Sequence, residues 1–243
     1  MKHITTFIFT VAVCFSSRAQ YDFEKFPAIK YKTYDWKTIE LENKVNHILL
    51  IPEFFKNRKT LNIDLTYFIE PAKNSEIKVW GFSSKIVTFQ EDIPFTPIGL
   101  DSLRIADING DGLKDLKISS YYMGNGLASL NIRIVYLFQQ IDGNFLKTSY
   151  DDKMGDNRVE RDFDNDRNFE IITMTLQNHK NHNYWLFNIY NFLYGKLVNV
   201  NSKANYPIMV QFLEKETFKT TTNLSRKEMK KYEIPFPKNF NDN

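Results

Sequence analysis

Cysteine is almost absent from this chain: its 243 residues include one, Cys14. A disulfide framework is therefore excluded, and cleavage of a leader that contains Cys14 would also remove any thiol chemistry. Long apolar runs are scarce too. Beyond the first twenty residues no stretch reaches the roughly 18 apolar residues that a spanning helix needs, so no transmembrane segment is expected. Charge of one sign is also missing. There are 32 basic and 29 acidic residues, for a formal charge of +3, and without Lys2 and Arg18 the balance is nearly even. So balanced a chain lacks the single-sign field that nucleic acid binding draws on, and no nucleic acid partner is expected. Familiar catalytic signatures are missing as well: there is no G-x-S-x-G, P-loop or H-E-x-x-H pattern. His179 and His182 stand three apart in QNHKNHNYW, but no cysteine or neighbouring acidic run completes a zinc site. A surface turn is expected there.

Aromatic residues are plentiful, with 21 Phe, 13 Tyr and 3 Trp. Such side chains suit pleated, half-buried surfaces, which makes β structure the first expectation. The opening MKHITTFIFTVAVCFSSRAQ has a basic start at Lys2, an apolar stretch from Ile4 to Phe15, and Ser17-Arg18-Ala19 before Gln20. These are the parts of a secretory signal peptide spanning residues 1–19, so the mature chain is expected to be exported to the periplasm or the extracellular space. Lipid anchoring at Cys14 is the less favoured alternative. Val11-Ala12-Val13 resembles a bacterial lipobox, but Val13 stands where a small residue is expected.

Residues 20–100 read as an N-terminal β region. Leu61, Ile63, Leu65 and Tyr67 alternate with polar neighbours, the period-2 pattern of a half-buried strand. Ile77, Val79 and Gly81 lead through a Ser-Ser turn to a return strand carrying Ile86, Thr88 and Gln90. The proline-marked stretch from Asp92 to Leu100 reads as a connection. Residues 101–223 hold an internal repeat. RIADINGDGLKDLKISS from Arg104 corresponds to VERDFDNDRNFEIITM from Val159, and VYLFQQIDGNF from Val135 to FNIYNFLYGKL from Phe187. Each unit reads as strand, acidic loop, strand, connection and hairpin, with the hairpins turning at Asp142-Gly143 and Tyr194-Gly195. In the tail, residues 224–243, Ser225 and Glu228 form a capping box for a short helix from Arg226 to Tyr232. Pro235 and Pro237 stop it, and a frayed end is expected. The expected fold is all-β: two tandem blade-like four-stranded repeats in an incomplete propeller-like arrangement, packed with the N-terminal β region and followed by a short helix.

The acidic loops carry the chemistry. Asp107-Ile108-Asn109-Gly110-Asp111-Gly112-Leu113-Lys114-Asp115 places side-chain oxygens at positions 1, 3, 5 and 9, glycine at 6, and the Leu113 carbonyl at 7. Calcium takes six to eight oxygens in flexible geometry, so Asp107, Asn109, Asp111, Leu113 and Asp115 are the expected ligands, and magnesium is disfavoured by its strict octahedron. Position 12 is Ile118 and the flanks are strands, so this is not an EF-hand. An unmetallated Asn/Asp/Gly turn is the bland alternative. The second loop keeps oxygens at Asp162, Asp164, Asp166, Asn168 and Glu170, but Arg167 replaces the glycine at position 6. Arg167 also offers a charge that could pair with Asp162 or Asp164 in place of a metal.

DINGDGLKDL between strands, with a weaker copy downstream, resembles the FG-GAP/VCBS repeats that form calcium-loop blades in integrin-like β-propellers. The resemblance covers Leu103 to Asn201. Small exported bacterial proteins with such loops include calcium-binding inhibitor or immunity proteins acting against cell-wall hydrolases. The resemblance thus implies an exported calcium-binding domain that works by binding a protein or a cell-surface glycan. The alternative is a secreted carbohydrate or peptidoglycan hydrolase whose carboxylates the spacing does not reveal. Tyr121-Tyr122 and Tyr184-Trp185 with Phe187 read as core strands, and the loops at 123–127 and 178–183 are the first candidates for partner contact.

Overall fold

The computed structural model describes residues 21–70, 73–92, 100–122, 124–154, 158–211 and 224–242. The expected leader with Cys14, most of the link after Asp92, and Met123 lie outside the described residues. Within them the chain is all-β, in three open antiparallel sheets with one short C-terminal helix.

The N-terminal sheet is a meander of β2 (Lys37–Leu41), β3 (Lys44–Ile51), β4 (Leu61–Phe68), β5 (Ser75–Trp80) and β6 (Val87–Glu91), each strand paired with the next; β1 (Lys32–Tyr34) belongs elsewhere. On β4 the alternation holds, with Leu61, Ile63, Leu65 and Tyr67 all buried. On β6 the inward residues are Phe89 and Glu91, while Ile86 is exposed just ahead of the strand. The central sheet has the order β1, β7 (Leu103–Ala106), β8 (Asp115–Tyr121), β9 (Asn131–Gln139), β10 (Phe145–Lys153), β15 (Lys238–Asn241). Its inner strands β7 to β10 are the first repeat unit, a four-stranded meander. Two expectations change at its edges. The segment 20–100 contributes to more than its own sheet, since β1 pairs with β7. The tail does not fray: β15 pairs with β10, and Asn239 binds Asp151 through its side chain and Arg133 through its carbonyl. An edge strand with free ladder groups is a template for a short extended segment, and here the tail supplies it.

The second unit is built on β11 (Ile171–His179), β12 (His182–Leu193) and β13 (Lys196–Asn199), and β14 (Ile208–Gln211) shares the outer edge of β12 with β13. Its opening strand is reduced to Arg161, which bridges Glu170 and Ala28. The tail helix α1 (Arg226–Met229) has the expected capping box at Ser225 and Glu228 and continues as a 3-10 turn to Tyr232.

The sheets stack face to face. Odd-numbered residues of β9, such as Val135 and Leu137, meet Ile63, Leu65 and Ile77 of the N-terminal sheet. Even-numbered residues, such as Ile134, Tyr136 and Phe138, meet Ile171, Tyr190 and Phe192 of the C-terminal sheet. A strand buried on both faces reads as a continuous apolar run, which is what β9 does. Phe138 stacks on Phe192 with ring centroids 3.6 Å apart, tying the two repeat units together. The far side of the C-terminal sheet is covered by Phe23 and Tyr206, while Met229 of α1 packs on Tyr184 and Leu186, which share the β12 face of Tyr190.

Candidate metal loops

Asp107 to Lys114 link β7 to β8, and the loop is shaped by its own side chains. Gly110 and Gly112 have φ of +74° and +80°, the left-handed region that glycine enters without strain. Asp107 Oδ2 accepts from the Gly112 amide at 2.9 Å, Asn109 Oδ1 from Asp111 at 3.2 Å, and Asp111 Oδ1 from Leu113 at 2.7 Å. Ile108 is the buried anchor between them. Asp115 is fully buried, its two oxygens accepting from the amides of Ile108 at 2.8 Å and Gln139 at 3.0 Å. Burial pushes its carboxyl up to about 8, against the pull of those two amides. Burial also raises Asp107, opposed by the Gly112 amide and helped by the Asp111 charge.

The second loop repeats this pattern position by position. Asn165 and Arg167, at φ of +63° and +70°, stand where Gly110 and Gly112 do. Asp162 Oδ2 accepts from the Arg167 amide at 3.2 Å, Asp166 Oδ1 from Asn168 at 2.8 Å, and Glu170 Oε2 from Phe163 at 2.9 Å. Phe163 is buried as Ile108 is. The two loops touch: the Phe169 amide donates to the Ile108 carbonyl at 2.9 Å, and Gly110 lies against the Arg167 backbone.

Their surroundings differ in charge. Asp162, Asp164 and Asp166 each offer an oxygen within 4.8 Å of the others. Into this cluster reaches Lys203, whose Nζ is 2.7 Å from Asp164, 3.2 Å from Glu170 and 3.5 Å from Asp166. Partial burial works against the ammonium, but these carboxylates hold its pKa above the usual lysine range. The ammonium in the second loop is thus that of Lys203, from the turn Asn201–Ala204 after β13. No spacing in the sequence marks it. In the first loop, no ammonium or guanidinium among the described residues pairs with Asp107, Asp111 or Asp115. Lys114 turns away to the Glu53 carbonyl. Asp107 Oδ1 is closed off from solvent with no hydrogen-bond partner, whereas both oxygens of its counterpart Asp162 accept from backbone amides; the second loop's orphan is Asn168 Oδ1, at the position of Leu113. The first loop keeps an enclosed, unpaired carboxylate oxygen, but its acids do not converge: among the described residues the only three acids whose oxygens lie within 4.8 Å of one another are those of the second loop.

The remaining candidates separate. His179 and His182 face each other across the β11–β12 turn, where Lys180 and Asn181 have positive φ, and His179 Nδ1 contacts the Tyr232 hydroxyl at 2.5 Å. Tyr184, Trp185 and Phe187 are buried. Charged residues that no motif or spacing singles out form buried pairs between the sheets. Glu91 meets Arg133 at 2.7 Å and Lys147 at 3.0 Å, Glu160 meets Lys117 at 2.5 Å, and Asp152 meets Arg158 at 2.7 Å. No family model matches the chain, and neither does a curated protein or a solved structure.

Proposed function

We propose that this chain is an exported, calcium-stabilised β domain that acts by binding a protein or a cell-surface glycan, as an inhibitor or immunity protein against a cell-wall hydrolase would. The observation that carries the calcium half is Asp107 Oδ1: a carboxylate oxygen enclosed without a partner, in a loop whose Asn109 and Asp111 side chains sit beside it in sequence at ligand spacing. In that reading Asp107, Asn109, Asp111, the Leu113 carbonyl and Asp115 hold the ion, which locks the β7–β8 turn and does no chemistry.

Binding, with no reaction, is supported by where the acids stand. Glu91, Asp152 and Glu160 are buried in ion pairs, an arrangement that holds sheets together. Among the described residues the two most exposed large apolar side chains sit on hairpin tips. Ile141 on the β9–β10 turn and Tyr194 on the β12–β13 turn are almost fully exposed, at 88% and 101%. Gly195 approaches Leu146, which brings those two hairpins side by side. Exposed aromatic and aliphatic side chains on rigid turns are the material of interface hot spots.

A cation bound only by the native state stabilises by mass action, about 2.7 kcal/mol at a hundredfold excess over its dissociation constant. Calcium should therefore raise the melting temperature of wild type, and chelator should lower it. Asp111→Ala should melt at the chelated wild-type temperature in either condition. Equal melting of wild type with and without chelator would sink the calcium reading. Capture and inhibition of a secreted hydrolase supports the binder, whereas glycan or peptidoglycan cleavage by the purified chain would replace it with an enzyme.

A further inference from the structure

Between the end of β10 and the middle of β11 the central and C-terminal sheets part, leaving a cleft of about 300 Å³. That is the lower end of the range for small-molecule sites and far more than a structural water requires. No residue of the two acidic loops lines it.

The charges around this cleft do not balance. Its two carboxylates are already engaged by other groups of the protein. Asp151 accepts from Arg133 at 3.0 Å, from the Tyr122 hydroxyl at 2.7 Å and from Asn239 at 2.6 Å. Asp152 is paired with Arg158, and its other oxygen accepts from the Met174 and Lys153 amides. The two lysines of the wall have no such counter-charge, and among the described residues neither Lys153 nor Lys238 forms an ion pair. Lys153 Nζ donates only to neutral oxygens, the Leu127 carbonyl and Asn131 Oδ1. Burial lowers the Lys153 pKa, and the nearby Lys238 charge lowers it further, with Asp152 opposing. Two ammonium groups that repel each other at the mouth of a cleft create a positive potential that an anion would relieve. The opposite wall is apolar, formed by Met174 and Leu176, and Leu176 remains 37% exposed. An unpartnered hydroxyl, Thr175 Oγ1, lies between them.

We propose that this cleft binds a small organic anion, its carboxylate or phosphate head between Lys153 and Lys238 and its apolar body over Met174 and Leu176. A charge-only site would not need the leucine, and an apolar site would not gather two lysines.

Calorimetric titration with benzoate, phenyl phosphate, benzyl alcohol and inorganic phosphate tests this directly. Benzoate or phenyl phosphate should bind at one saturable site, and whichever binds more tightly identifies the head group. Benzyl alcohol and inorganic phosphate should each bind at least about tenfold more weakly, because each lacks one half of the ligand. Lys238→Glu and Lys153→Met should each weaken the organic anion by about tenfold or more, while Lys37→Glu, on β2, should leave it unchanged. Lys238 is exposed, so its variant leaves the core intact, as an unchanged melting temperature will verify. Absence of saturable binding by either organic anion, equal affinity for benzyl alcohol, or wild-type affinity in Lys238→Glu would each overturn the proposal.

Discussion

Lys203 Nζ lies 2.7 Å from Asp164 Oδ2, in the loop whose counterpart one repeat earlier pairs with no cation among the described residues. The two turns share their backbone shape and their internal hydrogen bonds, so the difference between them is one of charge supply. In the proposed reading, a tethered lysine serves the second loop as the ion would serve the first.

Lys203→Met should therefore convert the second loop into a divalent site. Calorimetry should show one calcium site in wild type and two in the variant, and the variant should depend more on calcium for its melting temperature. Without calcium it should be less stable than wild type, because like charges within a few ångströms repel without a partner. A single site in Lys203→Met would show that the second loop lacks the geometry for calcium.

The contact between the loops predicts an asymmetry between two glycines. Alanine at Gly112 meets open space and suffers only the left-handed backbone, about 1–2 kcal/mol. Alanine at Gly110 suffers the same strain, and its methyl group would also lie 2.8 Å from the Arg167 carbonyl oxygen. Gly110→Ala should cost about 1–3 kcal/mol more than Gly112→Ala in denaturant unfolding. Equal costs would mean that the loops do not touch.

Glu91 is fully buried and holds Arg133 and Lys147 together with Ser149, at 3.0 Å, across the first interface between sheets. Glu91→Ala should destabilise by about 3–5 kcal/mol, since it leaves Lys147 buried without its counter-charge and Arg133 with Asp151 alone. Combining Glu91→Leu with Lys147→Met should cost less than the single change, because charge and counter-charge leave together. A double variant at least as damaged as the single one would show that packing, not charge, dominates there.

His47 gives the fold a pH response. Its ring is buried against Tyr67 and Trp36, with Nδ1 at 2.9 Å from the Thr38 hydroxyl. Burial pushes its pKa down, with the Asp64 charge opposing, so the native state favours the neutral ring. The unfolded chain then binds the proton more readily. Stability is complete above the ordinary histidine pKa of about 6.5 and falls as pH drops below it. His47→Gln should lower stability at pH 7 yet flatten the decline between about pH 6.5 and 5. An unchanged slope would assign the decline to other groups.

Much of this architecture is legible in the order of residues alone. Period-2 alternation at Leu61 to Tyr67, the paired hairpin turns and the recurrence of the acidic loop are local or near-local signals, because a strand's faces and a turn's φ values are set by adjacent residues. The capping box at Ser225 and Glu228 is of the same kind. What the order of residues could not show was which distant groups would meet. Lys203 reaches the second loop only because β12 and β13 carry the chain back beside it. Arg167, the cation nearest in sequence, gives the turn its backbone amide and its left-handed φ instead. The tail around Asn239 reads as polar and unstructured, yet it completes the central sheet because the edge of β10 presents unpaired ladder groups. Glu91, Arg133 and Lys147 look like surface charges until the N-terminal and central sheets close over them, and the cleft beside Lys153 exists only where the central and C-terminal sheets diverge. Backbone shape followed from neighbours in the chain; charge pairing and cavities followed from packing, which brings together groups that the sequence holds far apart.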